Sequence, residues 1–196
     1  MKKIINNKKG FTLIELLAVM VIMVSVGAVI TSIIVSALRS GNKSQTINDV
    51  RENGNYVLSQ MSKMITFSKH LDGLSTGATD AYGNLIYDTN CVLASTTPAP
   101  TPAVYKYIKI TSFDNGQTVF NCDSTGIGKI ASNSVSMINP NFSVTNCSFT
   151  CMQADNSVSP TIDINFTLGK NTSSLFSENR VSIPFETSLT LRNFGD

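Results

Sequence analysis

The chain has 196 residues, enough for one domain and a membrane anchor. Its formal charge of +2 is misleading, because Lys2, Lys3, Lys8 and Lys9 all precede residue 10 and the remainder carries a slight acidic excess. The basic balance therefore gives no support to a nucleic-acid partner. The single histidine, His70, leaves no Ser-His-Asp arrangement that does not use it, and no enzyme activity is expected.

After Gly10 the chain turns apolar. Phe11 to Leu38 contains one charge, Glu15, five positions into the run. A carboxylate at the centre of a membrane helix costs roughly 2.5–3.5 kcal/mol, less toward the interface, and such residues are functional by default. The run exceeds the short apolar core of a secretory signal and is followed by no small-residue cleavage site. Leu16–Leu38 alone meets the length of a single-pass anchor, and the lysines before it place the N-terminus inside. A plain anchor explains neither Glu15 nor the Gly10-Phe11 junction.

The residues Lys8-Lys9-Gly10-Phe11-Thr12-Leu13-Ile14-Glu15, running on as GFTLIELL, resemble the start of type IV pilins and pseudopilins. The resemblance implies that a prepilin peptidase cuts after Gly10, that Phe11 becomes the N-methylated terminus, and that Glu15 acts in assembly. It implies other pilin or pseudopilin subunits and an inner-membrane assembly platform as partners; no cofactor is expected. It implies a single-pass membrane protein, N-terminus cytoplasmic and C-terminal domain periplasmic or extracellular, that later joins a filament or pseudopilus. Glu15 of one subunit would meet the new Phe11 amine of a neighbour. A buried charge that loses its partner costs about 3–5 kcal/mol, so such a pair enforces register. The helix macrodipole also favours an anion at that position.

No proline precedes Pro98, so one helix is expected from about Phe11 to His70. Its first half is apolar on all sides, with Ser25, Gly27, Ala28, Thr31, Ser32 and Ser36 as small residues that let helices approach. Many major pilins carry a proline in this half; its absence here suits a minor pilin or pseudopilin. After Arg39, Gly41 and Asn42 the pattern changes. Ile47, Val50, Gly54, Val57, Met61 and Met64 recur three and four apart, with Tyr56, Leu58 and Ile65 broadening the stripe. That predicts an amphipathic helix with one face to bury on a sheet. Gly54, costly in a helix by about 1 kcal/mol, would admit a close strand. His70 is expected at the helix end, where a protonated imidazole suits the dipole.

From about residue 83 the signals are β. Val104–Ile110, an Asp114-Asn115-Gly116 turn and Thr118–Cys122 read as a hairpin. Phe142–Met152, Thr161–Leu168 and Arg180–Leu191 are further strand candidates, Pro184 arguing that the last is an edge, a bulge or a kink. Ser95–Pro102 reads as a stiff loop. Asp72, Asp80 and Asp88 lie among glycines but match no EF-hand spacing, and solvated acids are expected. The fold class expected is α+β, a pilin fold: leader 1–10, membrane and assembly helix 11–38, amphipathic helix 39–72 packed on an antiparallel sheet, and a β-rich domain 73–196.

Cys91, Cys122, Cys147 and Cys151 all lie beyond the apolar run, an even number on one side of the anchor, which suggests disulfides in an oxidising space. Three pairings are possible. The sequential one, Cys91–Cys122 with Cys147–Cys151, is expected, the larger loop contributing about 3–4 kcal/mol on the loop-entropy account. A metal site is not expected, since there is no C-x-x-C and His70 is distant in sequence.

The closing Thr187-Ser188-Leu189-Thr190-Leu191-Arg192-Asn193 looks like the final strand of PilW-like minor pilins and the J-type minor pseudopilin of type II secretion. The function expected is therefore a structural subunit of a type IV pilus or type II secretion pseudopilus. The alternative is a surface-displayed adhesin or DNA-uptake tip; Lys106, Lys109 and Lys129 are too few to form the basic stripe such a tip would need.

Overall fold

The computed structural model describes residues 10–89, 91–93, 103–123, 128–155, 158–170 and 180–193. The lysine-rich leader up to Lys9 and the Ser95–Pro102 loop lie outside the described residues. The chain divides into two units, Met1–Asn42 and Lys43–Asp196. One helix, α1 (Leu13–Thr66), contributes to both.

In the second unit the helix buries Thr46, Val50, Gly54, Val57, Met61 and Ile65, four, four, three, four and four residues apart. This is the expected stripe, rotated slightly: Ile65 rather than Met64 is fully buried, and Tyr56 stays exposed. Val57, Met61 and Ile65 are each completely removed from solvent, worth roughly 1.5–3 kcal/mol apiece.

Two sheets complete this unit. The first has the order β1 (His70–Ser75), β3 (Tyr107–Thr111), β4 (Gln117–Asp123), β5 (Lys129–Ser132), β6 (Val135–Ser136), with β2 (Val92–Leu93) belonging to the other. The second has the order β2, β7 (Phe142–Gln153), β8 (Thr161–Lys170), β9 (Ser182–Thr190). All pairings are antiparallel except β2 with β7, a two-residue parallel contact that departs from the wholly antiparallel expectation. Paired backbone bonds between Tyr105 and Phe149, at 2.8 and 2.9 Å, tie the segment before β3 to β7. Ile108, Ile110, Phe120, Ile130, Phe149, Ile162, Ile164 and Phe166 fill the shared core.

The β3–β4 turn uses Asn115 at φ 60 beside Gly116, as the Asp-Asn-Gly sequence suggested. Asn133 and Ser134, both at positive φ, make the tight β5–β6 turn. The Asn133 side chain accepts the Val119 amide at 2.8 Å and donates to the Gln117 carbonyl at 3.2 Å. Strand β9, with Pro184, is an edge strand, one of the positions in which a sheet tolerates proline.

The helix reaches the four-stranded sheet through Gly54. A methyl group there would fall inside the ring of Phe185 on β9, which is itself buried and stacked on Phe166 with centroids 5.2 Å apart. The missing side chain is what lets the ring sit on the helix backbone.

The helix stops at Thr66, and His70 opens β1, exposed and paired with Thr111. The expectation that His70 ends the helix is corrected: it lies past the last turn, as the first residue of β1. The place at the helix end is taken by the end of the chain. The Arg192 amide donates to the Thr66 carbonyl at 3.1 Å, the Asn193 side-chain amide donates to the Ser68 carbonyl at 3.1 Å, and the Arg192 guanidinium stands 5.1 Å over the Phe67 ring. The apolar-Arg-Asn ending is thus a C-terminal cap, with Leu191 buried beneath it. Asn193→Ala and Arg192→Ala should each cost about 1 kcal/mol, read as a lower urea midpoint at unchanged slope.

The cysteine pairing is also corrected. The bridges are Cys91–Cys151 and Cys122–Cys147, with Cα separations of 5.1 and 5.3 Å. The sequential pairing fails on geometry. Cys147 and Cys151 lie on the same strand, where four residues span about 13 Å, beyond the reach of a disulfide. Cys147 instead faces the core and meets Cys122 on β4 of the other sheet, while Cys151 meets Cys91 just before β2. A bulge between Thr145 and Ser148 makes this possible. Phe142 and Val144 are buried before it, Cys147, Phe149 and Cys151 after it, so the inward face changes from even to odd numbers. Asn146, at φ 55, carries the extra residue.

Candidate functional site

The segment with unusual chemistry runs from Gly10 to Leu38. Helix α1 begins at Leu13, so Gly10, Phe11 and Thr12 precede it in irregular chain. The Gly10–Phe11 peptide bond is therefore exposed and outside the helix.

Thr12 caps the helix. Its carbonyl accepts the Glu15 amide at 3.1 Å and the Leu16 amide at 3.2 Å, and its hydroxyl accepts the Glu15 amide at 3.3 Å. This is half of a capping box, with Glu15 at its acidic position. Sequence reasoning placed Glu15 near the helix N-terminus but missed the cap, although Thr12-x-x-Glu15 is its signature. The cap fixes where the helix starts, and so fixes the carboxylate in the first turn, three residues beyond Thr12.

Every residue from Gly10 to Gln45 is exposed. An 18-residue window of the helix has a mean hydropathy of 2.7 and no part of it is buried. Such an apolar surface needs lipid or other protein around it. Three of its hydroxyls are satisfied within the helix. Ser25 donates to the Ile22 carbonyl at 2.8 Å, Thr31 to Gly27 at 2.8 Å and Ser32 to Val29 at 2.7 Å. These three hydroxyl hydrogens stay on their own helix and do not enter the apolar medium unpaired. Glu15 is the one ionisable group between Gly10 and Leu38.

Asp72, Asp80 and Asp88 each have a separate structural partner. Asp72 accepts from the Thr111 hydroxyl at 2.7 Å. Asp80 folds its own loop, one oxygen accepting the Tyr82 and Asn84 amides at 2.9 and 2.8 Å, the other the Asn84 side chain at 3.2 Å. Asp88 pairs through its backbone with Leu74. Among the described residues no three His, Cys, Asp or Glu side chains could share a metal ion.

The Asn84 backbone amide, then its side chain, hold the Asp80 carboxyl below its ordinary value of 3.8. A carboxyl depressed by folding stabilises its loop above the unfolded value and loses that contribution as pH falls through the folded one. Hydrogen exchange at Tyr82 and Asn84, corrected for intrinsic rates, should therefore accelerate on acidification below 3.8. Asp80→Asn should remove that pH dependence.

Comparison with known families finds the prokaryotic N-terminal methylation motif over residues 5–38. The amino-terminal segment carries the motif of a type IV pilin-like prepilin, and the helix within it is long and apolar enough to cross a membrane. No curated protein matches the chain, and no solved structure matches it.

Proposed function

We propose, starting from the pilin-type methylation segment at residues 5–38, that this chain is a structural subunit, and a minor one, of a type IV pilus or type II secretion pseudopilus. Prepilin peptidase cuts after Gly10, Phe11 is N-methylated, and the subunit enters the fibre through its apolar half-helix. In this reading its role is structural and not enzymatic. Before assembly its N-terminus is cytoplasmic and its C-terminal domain lies outside the inner membrane, beside the assembly platform.

The observation that carries this reading is the capped, fully exposed apolar helix with Glu15 in its first turn. Membrane anchoring alone needs no acid there. Assembly gives it a role, since the amine released on Phe11 is a cation of the kind a carboxylate neutralises. The absence of proline before Pro98 supports a minor subunit.

Mass spectrometry of the mature protein tests the processing steps. The expected species begins with N-methylated Phe11 and has the mass deficit of two disulfides. A mature chain that still begins at Met1 would rule the reading out.

A further inference from the structure

The two disulfides are nested: Cys122–Cys147 lies inside the loop closed by Cys91–Cys151. Among all pairs these four cysteines allow, Cys91–Cys151 has the largest separation, 60 residues. Cys147 and Cys151 have the smallest. The probability of contact in an unfolded chain falls as about the −3/2 power of loop length. In the reduced, unfolded chain Cys147 therefore meets Cys151 first. Once that bond closes, Cys91 and Cys122 have only each other.

The resulting isomer has consumed all four thiols. It cannot rearrange by itself, because exchange needs a thiolate nucleophile. It also cannot fold, because the Cys147–Cys151 bond is incompatible with the extended β7 on which both residues lie.

We propose that maturation of this domain requires an external thiolate partner of the thiol–disulfide isomerase class. The thiolate attacks the Cys151 sulfur of Cys147–Cys151, forms a mixed disulfide and releases the Cys147 thiolate. Cys147 attacks the Cys122 sulfur of Cys91–Cys122, forming Cys122–Cys147 and releasing the Cys91 thiolate. Cys91 then attacks the mixed disulfide at Cys151, forming Cys91–Cys151 and returning the external thiolate. Two protein disulfides enter and two leave, so the sequence is redox-neutral and catalytic in thiol. Burial ends it: in the folded domain all four cysteines are less than 8 % exposed, whereas the trapped isomer leaves its sulfurs open to attack.

The test uses the full chain in detergent micelles, reduced and unfolded in urea, then diluted into diamide alone or into mixed reduced and oxidised glutathione. Alkylation and peptide mapping read the pairing. With diamide the main product should carry Cys147–Cys151 and Cys91–Cys122 and persist. Reduced glutathione should raise the yield of the native pairs by roughly tenfold or more. The double variant Cys91→Ser/Cys151→Ser, which cannot form the trapped isomer, should close Cys122–Cys147 equally well in diamide alone. Native pairing of the unmodified chain at the same yield without reduced thiol would overturn the proposal, as would a thiol requirement in the double variant. None of these outcomes depends on filament assembly.

Discussion

Glu15→Ala should leave the protein in the membrane and nearly absent from filaments. The substitution removes the one ionisable group of the apolar run, so insertion is unharmed or improved. In the proposed fibre it would leave the Phe11 amine buried with no anion. Breaking one partner of such a pair costs roughly 3–5 kcal/mol, about two to three and a half orders of magnitude in the incorporation equilibrium. Glu15→Gln should behave like Glu15→Ala, because it keeps size and polarity but not charge, whereas a cap lost by Thr12→Ala should cost only about 1 kcal/mol. Quantifying the subunit in sheared filaments and in membranes separates the two steps. Normal incorporation of Glu15→Ala would sink the assembly role.

Gly54→Leu should unseat the helix from the four-stranded sheet. Even a Cβ at Gly54 meets the Phe185 ring, and that ring is held by its stack on Phe166. Alanine gains about 1 kcal/mol in helix propensity and loses about 1–3 kcal/mol to overpacking, so Gly54→Ala should be neutral to destabilising. Leucine has no rotamer that avoids the ring and should cost well over ~3 kcal/mol. Phe185→Ala alone opens a cavity worth about 3–5 kcal/mol. Combined with Gly54→Leu it should cost less than the sum, because the new side chain fills the space the ring leaves. Additive losses in urea unfolding would show that the helix and β9 do not share this contact.

The helix and the long strands were legible in the sequence because their signals are local. Val50, Gly54, Val57 and Met61 mark the buried face by spacing alone, and Ile162, Ile164, Phe166 and Leu168 do the same for β8. The amino-terminal methylation motif was legible because its residues, 5–38, follow one another in the chain. Strands β1, β2, β5 and β6 were not. They are two to six residues long and exist through their neighbours' unpaired backbone rather than through their own periodicity. The disulfide pairing was hidden for a related reason. It depends on which sheet each strand joins and on the bulge at Asn146, which sends Cys147 inward, and no one-residue shift in a strand can be read from composition. The Thr12 cap was available in the spacing to Glu15 and was overlooked in favour of the dipole.

The clasp that residues 185–193 place on the second half of the helix sets an order for folding. Ribosomes deliver the stem before its fastener, so the contacts at Gly54, Thr66 and Ser68 cannot close until residues 185–193 have been made. A chain stopped short of them would leave Gly54 without the ring that covers it and the last turn of the helix without its cap.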